Sequence, residues 1–186
     1  VRRADRGELF AVLDGVGGAP KGRRAAQHIA SGLLRFYQEP LRWSASIPGL
    51  SSLMTCLNDE VHAMGLLPDG RPAAAAAATT VWLAPDGRVV VLHAGDTCCM
   101  LVGSDSQRRL TKDHRNTVGL ANYFGIGEHF ELEISGLTEP LEGVWVVLFT
   151  DGVILGDAEI ARIVRSAPDC VVAARKIARE SFQRGS

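Results

Sequence analysis

The stretch LFAVLDGVGG, residues 9–18, carries the most information about the fold of this chain. Its first five residues are apolar and mostly β-forming, and they run directly into Asp14-Gly15, which predicts a buried strand with a carboxylate at its end. The stretch VWVVLFTDGV, residues 144–153, delivers Asp151 in the same way. Two carboxylates at strand ends suit a divalent-cation site, because such ions prefer oxygen ligands.

Each Asp-Gly pair also has a simpler interpretation as an ordinary hairpin turn, and for either pair alone that interpretation would be preferred. The glycines after Asp14 favour the cation site, because Gly15, Gly17 and Gly18 let the backbone approach an ion closely and free a carbonyl oxygen to bind it. We therefore expect Asp14 and Asp151 to meet in the folded chain.

Composition and charge narrow the class of protein. The chain has 186 residues, of which 46% are hydrophobic, and this is enough for one domain with a sizeable core. Its 20 basic and 21 acidic residues give a formal charge of −1, so the chain has no electrostatic footprint for nucleic acid or for an anionic membrane.

Two further absences in the sequence bear on its location. No signal peptide is visible, and no apolar run approaches the roughly 20 residues of a membrane span. Four cysteines without metal-type spacing are expected to be reduced thiols in the core or half-buried, namely Cys56, Cys98, Cys99 and Cys170. We expect a soluble, cytoplasmic domain with no nucleic-acid partner and no membrane insertion.

Hydrophobic periodicity divides the chain into blocks of helices and strands. Helical spacing of apolar residues predicts helices over residues 20–38, 50–64, 158–165 and 168–182, with the N-cap of the second near Ser51-Ser52. β-Branched and alternating residues predict further strands over residues 79–83, 88–94, 98–102 and 130–134. The six alanines from Ala73 are assigned mostly to the first of these strands, packed closely under a helix. This arrangement in blocks favours antiparallel sheets covered by helices over repeated βαβ units.

Five motifs follow one another in an order that is similar to one known family. They are LFAVLDGVGG at residues 9–18, ATT at 78–80, AGDT at 94–97, LTKDH at 110–114 and FTDGV at 149–153. The succession resembles the metal-dependent protein phosphatases of the 2C type, the PPM family, and in particular its bacterial members. One motif alone is weak evidence, whereas five in family order make coincidence improbable. The match extends from Leu9 to about Phe182.

The resemblance implies an α+β fold, a four-layer αββα sandwich of two antiparallel sheets flanked by helices, in a single domain over residues 1–186. It also implies a centre of two Mg²⁺ or Mn²⁺ ions with a third, weaker position. At the matching positions Asp14 would bridge both ions, Gly15 would bind one through its backbone oxygen, and Asp151 would bind the other. Asp96 together with Asp151 corresponds to the third position. Water activated by the ions would hydrolyse phosphoserine or phosphothreonine, which makes Asp14 and Asp151 the expected catalytic residues.

The resemblance is incomplete at both ends of the sequence. The family begins with an arginine that grips the phosphate. Arg2, or else Arg3, is the candidate, and the simpler interpretation is an arginine on the surface. The acidic ligand that follows in the family has no match, since Asp5-Arg6-Gly7 is better interpreted as a turn. The family also ends on an Asp-rich strand, whereas this sequence stops at Ser186. We therefore expect residues 1–186 to lack part of the first and last strands. A histidine that some eukaryotic relatives carry after Asp-Gly is replaced here by Val16.

Three functions are compatible with this pattern. The first is an active Ser/Thr protein phosphatase of bacterial signalling, with a phosphoprotein substrate and a cognate Ser/Thr kinase as a partner. The second is a phosphatase-like pseudoenzyme that acts as a regulatory binding module. The third is a sporulation or stress-response phosphatase that acts on anti-sigma-factor antagonists. His114, which ends the LTKDH motif, is a candidate general acid, but we favour a structural role because this Asp-His pair has no settled catalytic role in the family.

Overall fold

A computed structural model of the chain describes the backbone of residues 2–3 and complete residues over 5–137 and 142–185. These residues form the strands β1 (Arg2–Arg3), β2 (Gly7–Gly15), β3 (Ala76–Leu83), β4 (Val89–Ala94), β5 (Cys98–Val102), β6 (Gln107–Arg109), β7 (Arg115–Asn116), β8 (Gly119–Leu120), β9 (Glu133–Leu137) and β10 (Trp145–Phe149). They also form the helices α1 (Gly22–Leu33), α2 (Arg35–Gln38), α3 (Ile47–His62), α4 (Asp157–Ser166) and α5 (Cys170–Gln183). None of the helices within these ranges is long and apolar enough to cross a bilayer.

The strands form two antiparallel sheets and one small hairpin. The larger sheet has the order β1-β2-β3-β4-β9, and the smaller sheet has the order β10-β5-β6. Among the described residues, strands β7 and β8 pair only with each other. Each described strand pair is antiparallel, so the prediction of an α+β fold with antiparallel sheets is confirmed.

Three buried apolar clusters lie against the sheets. One joins α1 and α3 to a face of the larger sheet, and another joins α4 and α5 to a face of the smaller sheet. The remaining cluster lies between the two sheets. Successive side chains of a strand point to opposite faces, so Trp82 packs on the helix side of β3 and its neighbour Val81 packs between the sheets. The packing contacts therefore follow the order helix, sheet, sheet, helix.

Half of the alanine run forms a strand, since residues 76–78 begin β3, where small side chains allow close approach on both faces, whereas residues 73–75 precede the strand and the prediction is wrong for them. Ala76 and Ala78 are buried on the side of the helices. On the opposite face, Ala77 lies against Gly95, where a Cβ atom would come 2.3 Å from the Cβ of Ala77. Gly95 also has a φ of +118°, which L side chains rarely adopt. Layer contact, rather than the helix propensity of alanine, decides the structure of this segment.

Two helix boundaries differ from the prediction. The helix predicted over residues 20–38 is interrupted at Leu34, so that it appears as α1 followed by the short α2. Helix α3 begins at Ile47, and its N-cap is Ser46, whose Oγ accepts the N–H of Gly49 at 3.2 Å. The predicted cap at Ser51-Ser52 is wrong, because Ser51 already lies inside the helix and donates to the carbonyl of Ile47 at 2.8 Å.

Differences also occur in the strands and the cysteines. The edge strand predicted over 130–134 lies instead at 133–137, where Ile134 pairs with Leu92 of β4. Strand β6 has no apolar alternation and was not predicted. The turn expected at Asp5-Arg6-Gly7 is confirmed, since the two residues of β1 pair back onto the start of β2. Cys170 is exposed, so the expectation of core or half-buried thiols is wrong for this cysteine.

Candidate metal centre

Asp14 lies near the end of β2, where it pairs with Ala77 of β3. The next residue, Gly15, lies against the first turn of α1, and a Cβ atom on it would come 2.4 Å from the carbonyl carbon of Gly22. Glycine is therefore required directly after Asp14, because any side chain would displace the helix. Close packing of β2 against α1 thus explains the Asp-Gly pair that opens the site.

The pairing of β2 with β3 does not use the carbonyl oxygen of Gly15. In the ladder Gly15 stands opposite Ala76, but both backbone groups of Ala76 bond to Phe124, at 3.1 Å and 2.9 Å. Ala76 therefore does not pair with the carbonyl of Gly15, whereas the following N–H, of Val16, bonds to the carbonyl of Ala75 at 3.0 Å. The expectation that Gly15 binds a cation through its backbone oxygen stays a prediction.

Asp96 and Asp151 reach the same place from the smaller sheet. Strands β5 and β10 pair so that Cys98, the first residue of β5, stands opposite Phe149, the last residue of β10. Asp96 precedes β5 by two residues and Asp151 follows β10 by two residues, so both emerge from the same end of this antiparallel pair. The register of a single strand pair thus brings together two aspartates that are far apart in the sequence.

All four residues that were expected to bind metal line one cavity of about 340 Å³. The lining residues are Asp14, Gly15, Val16, Gly17, Asp96, Arg115, Gly119, Leu120 and Asp151. The side chain of Asp96 is only 11% exposed, while that of Asp151 is 56% exposed, so the cavity opens to solvent on the side of Asp151. The structure brings the predicted residues together, and their role as metal ligands stays a prediction.

The three carboxylates repel one another. Partial burial raises the pKa of Asp14, and the negative charges of Asp151 and Asp96 raise it further. Interaction with the side chain of Asp151 raises the pKa of Asp14 further, while the side chain of Thr150 lowers it. A site of this kind favours a bound proton or a bound cation, because either relieves the repulsion.

Arg115 is a site residue that the sequence did not reveal. Its Nη2 donates to Oδ2 of Asp96 and, at 2.9 Å, to Oδ2 of Asp151. Arg115 begins the β7–β8 hairpin, whose Gly119 and Leu120 form another wall of the cavity. The only available signal was its position directly after the LTKDH motif, and nothing in that motif indicates which way an arginine after it would turn.

The donor set fits a hard divalent cation. Besides Arg115, the cavity is lined by three carboxylates, and carboxylates are oxygen ligands preferred by Mg²⁺ and Mn²⁺. Neither a thiol nor an imidazole lines this cavity within the described part of the chain. The expected phosphate-binding residue Arg2 cannot be compared, because its side chain lies outside the described residues.

A second group of potential metal ligands lies nearby, formed by His93, His114 and Glu133. Its hydrogen bonds argue against coordination. Nδ1 of His114 accepts the backbone N–H of Gly95 at 3.2 Å, so the proton of a neutral ring must sit on Nε2, which donates to Glu133 at 3.0 Å. A ring nitrogen that carries a proton cannot bind a metal, so we interpret this group as a hydrogen-bonded cluster. Burial lowers the pKa of the neighbouring His93, which favours its neutral form.

Comparison with known proteins places the fold among bacterial phosphatases. A structure described as a bacterial serine phosphatase superposes with a TM-score of 0.81 at 16% identity, over 96% of this chain and 81% of that chain. The serine/threonine phosphatase PstP/Ppp of Mycobacterium tuberculosis gives a TM-score of 0.78 at 19% identity, over 95% of this chain and 83% of that chain. PppA of Pseudomonas aeruginosa, a regulatory component of its T6SS, gives 0.75 at 21% identity, over 98% and 81% of the two chains.

The sequence itself gives the assignment to a family. The model of the family described as Protein phosphatase 2C matches residues 1–179, which is nearly the whole chain. The chain therefore belongs to the protein phosphatase 2C family, and the resemblance seen in its five motifs is confirmed. No curated protein matches the chain by sequence.

Proposed function

We propose that this protein hydrolyses phosphoserine and phosphothreonine in other proteins, with Mg²⁺ or Mn²⁺ as its cofactor. The observation that carries the proposal is the convergence of Asp14, Asp96 and Asp151 on one cavity from three separate strand ends. Burial and the charges of Asp151 and Asp96 raise the pKa of Asp14, so a bound cation would relieve an unfavourable charge at the site.

The three aspartates of the cavity and Gly15 each have a defined role in this proposal. The cations would be held by the carboxylate of Asp14, the backbone carbonyl of Gly15 and the carboxylate of Asp151, all from residues that line the cavity. Asp96 and Asp151 together would hold a third, weaker ion. Bound divalent cations would lower the pKa of a water molecule and neutralise charge on a phosphoryl group. The protein contributes the charge and the fixed positions of its carboxylates.

Arg115 supplies the cationic group of the cavity. Its bonds to Asp96 and Asp151 offset part of the negative charge that would otherwise repel a phosphate dianion. Half of the Arg115 side chain is exposed, so its guanidinium also remains accessible from solvent. These properties suit a residue that a phosphate group encounters on its way to the carboxylates.

The shape of the cavity suits a phosphorylated side chain on a protein. It is small, about 340 Å³, and open on the side of Asp151, so it could admit a phosphoserine that projects from a protein surface. The tip of the β7–β8 hairpin beside it carries Val118, whose side chain is almost fully exposed and free to contact such a surface. The same proposal includes a cognate Ser/Thr kinase as a partner and a cytoplasmic location.

The test is hydrolysis of p-nitrophenyl phosphate and of phosphoserine peptides in millimolar Mn²⁺. We expect activity that a chelator removes and that Asp14→Asn lowers by on the order of 100-fold or more, as expected when a charge-stabilising group is lost. Asp105→Asn, the same substitution in an exposed turn, serves as the matched control and should leave the rate unchanged. If the wild-type protein bound Mn²⁺ but hydrolysed neither substrate, the pseudoenzyme would replace the enzyme.

A further inference from the structure

The turn that carries Asp96 is tied to the segment that carries Arg115 by a reciprocal pair of hydrogen bonds. The backbone N–H of His114 donates to the carbonyl of Gly95 at 2.8 Å. In return, the backbone N–H of Gly95 donates to the side-chain Nδ1 of His114 at 3.2 Å. Asp96 and Arg115 are the next residues along each segment, and their side chains bond to each other. The His114–Gly95 pair therefore stands directly behind a wall of the cavity.

The surrounding groups decide which ring nitrogen of a neutral His114 carries the proton. Nδ2 of Asn122 also donates to Nδ1 of His114, at 2.8 Å. The orientation of this amide is set by the backbone of Glu131, whose N–H bonds to Oδ1 of Asn122 and whose carbonyl accepts from Nδ2. Two N–H donors thus converge on Nδ1, which leaves the ring proton on Nε2, where it is donated to Glu133.

With its ring proton on Nε2, His114 lacks the two roles that a histidine beside an active site commonly has, which are proton donation to a substrate and metal binding. Nδ1 of His114 is an acceptor for protein N–H groups, and Nε2 is turned to Glu133 of β9 rather than to the cavity. Neither nitrogen is therefore placed to deliver a proton to a substrate or to bind a metal. The contact through which His114 can act on the cavity is therefore its hydrogen bond with Gly95.

Gly95 has no freedom to compensate for a lost contact. Its Cα lies so close to Ala77 that a Cβ atom would clash, and Ala77 is the residue that pairs with Asp14. The turn is thus held against β3 on one side and by His114 on the other. Any shift of this turn would move Asp96 relative to Asp14.

We propose that His114 is a positioning residue, which fixes Asp96 and Arg115 at the cavity by accepting the N–H of Gly95 at Nδ1. Groups behind the direct ligands of a metal typically change its affinity by 10–100-fold when they are mutated. The consequence for metal binding rests on the function proposed above, whereas the contact with Gly95 does not. The bond from Nε2 to Glu133 extends this support to β9.

The test compares two substitutions of His114 that each keep one half of the ring. His114→Asn retains an acceptor close to the position of Nδ1, and His114→Gln retains a donor close to the position of Nε2. His129→Asn, the same substitution at an exposed histidine, serves as the control. Each variant is examined by hydrogen exchange of the Gly95 amide, by calorimetry with Mn²⁺, and by the rate of p-nitrophenyl phosphate hydrolysis.

We expect the Gly95 amide of His114→Gln to exchange roughly five- to tenfold faster than in the wild type, which corresponds to the loss of one ordinary hydrogen bond. The same variant should bind Mn²⁺ about tenfold more weakly. Its rate should recover in excess Mn²⁺, with an unchanged KM for p-nitrophenyl phosphate. His114→Asn should resemble the wild type in all three measurements.

Equal exchange of the Gly95 amide in His114→Gln and the wild type would overturn the inference, as would equal impairment of the Asn and Gln variants. If neither variant folds, the nitrogen chemical shifts of His114 in the wild type decide, because a protonated Nδ1 contradicts the inference and an unprotonated Nδ1 supports it. A wild-type protein that bound no Mn²⁺ would refute the proposed function alone, since the exchange of the Gly95 amide and the ring shifts would still decide the role of His114.

Discussion

Asp14→Asn is expected to stabilise the metal-free protein while it destroys the metal site. In the wild type the Asp14 carboxylate lies beside Asp151 and Asp96, and its pKa is raised by burial and by their charges. The asparagine amide is neutral and can donate to the carboxylate of Asp151. Charge contacts at partly exposed sites contribute up to about 1 kcal/mol. For a chain of 186 residues, that gain raises the Tm by about 2–4 °C.

The pH dependence follows from the raised pKa of Asp14. Between its unfolded value of 3.8 and its higher folded value, the native state holds more protons than the unfolded state, so the stability of the wild type falls as the pH rises. Asn has no such titration. The two proteins should therefore be equally stable below the unfolded pKa and diverge as the pH rises through the folded pKa, with the full difference near neutral pH.

Thermal unfolding in chelator and in Mn²⁺ measures both effects. At a Mn²⁺ concentration 100 times the Kd, binding stabilises the native state by about 2.7 kcal/mol, or about 5–10 °C in Tm. We expect this increase in the wild type and its loss in Asp14→Asn. Asp105→Asn should match the wild type in every condition. A lower Tm of Asp14→Asn in chelator, or an unchanged Mn²⁺ response, would refute the argument from carboxylate repulsion.

Three further predictions follow from other contacts. Gly95→Ala should destabilise the protein by roughly 2–6 kcal/mol in urea unfolding, because backbone strain and overpacking add. Gly87→Ala, with a similar positive φ but open space around it, should cost roughly 1–3 kcal/mol, and equal costs would exclude the clash at Gly95. Arg115→Met should raise the affinity for Mn²⁺ up to about fivefold in calorimetry, because the guanidinium no longer competes for carboxylate oxygens, and weaker binding would contradict this. The Arg35 guanidinium, with smaller contributions from other partners, lowers the pKa of Glu60 to about 2. Glu60→Gln should therefore lower the free energy of unfolding by about 1 kcal/mol at neutral pH, and by progressively less as the pH falls below 4.5 towards 2, as measured by urea unfolding at each pH.

Local patterns predicted most of the fold because they report on local structure. The apolar runs that became β2 and β10 and the helical stripe that became α3 are each decided by neighbouring residues. Strand β6 carries the exposed sequence Gln107-Arg108-Arg109, which has no apolar alternation, so only its pairing with β5 reveals it. The cap of α3 was misplaced because several serines lie near the start of its apolar stripe, and their order in the sequence does not show that Ser46 is the one with the extended backbone of the N-cap.

The same distinction between local patterns and long-range contacts applies to the residues of the candidate site. Asp14, Gly15 and Asp151 are signalled by strand-end motifs, and Asp96 by its place in the family order of motifs. Arg115 was missed because its position depends on the contact between two segments that are 19 residues apart. Such contacts are set by packing and leave no periodic signal in the sequence.

Strand register links the stability of the core to the geometry of the site. Along β2, Leu9 and Leu13 pack with the helices, while Val12 and Asp14 point to the other face, between the sheets. A slip of one residue would turn Asp14 into the helix-side core and the leucines out of it, because side chains alternate along a strand. In the observed register, the packing of Leu9 and Leu13 against the helices and the delivery of the Asp14 carboxylate to the cavity therefore occur together. In this fold the alternation of side-chain direction along β2 positions its aspartate, and a substitution that weakens the packing of Leu9 or Leu13 should disturb the site even without touching it.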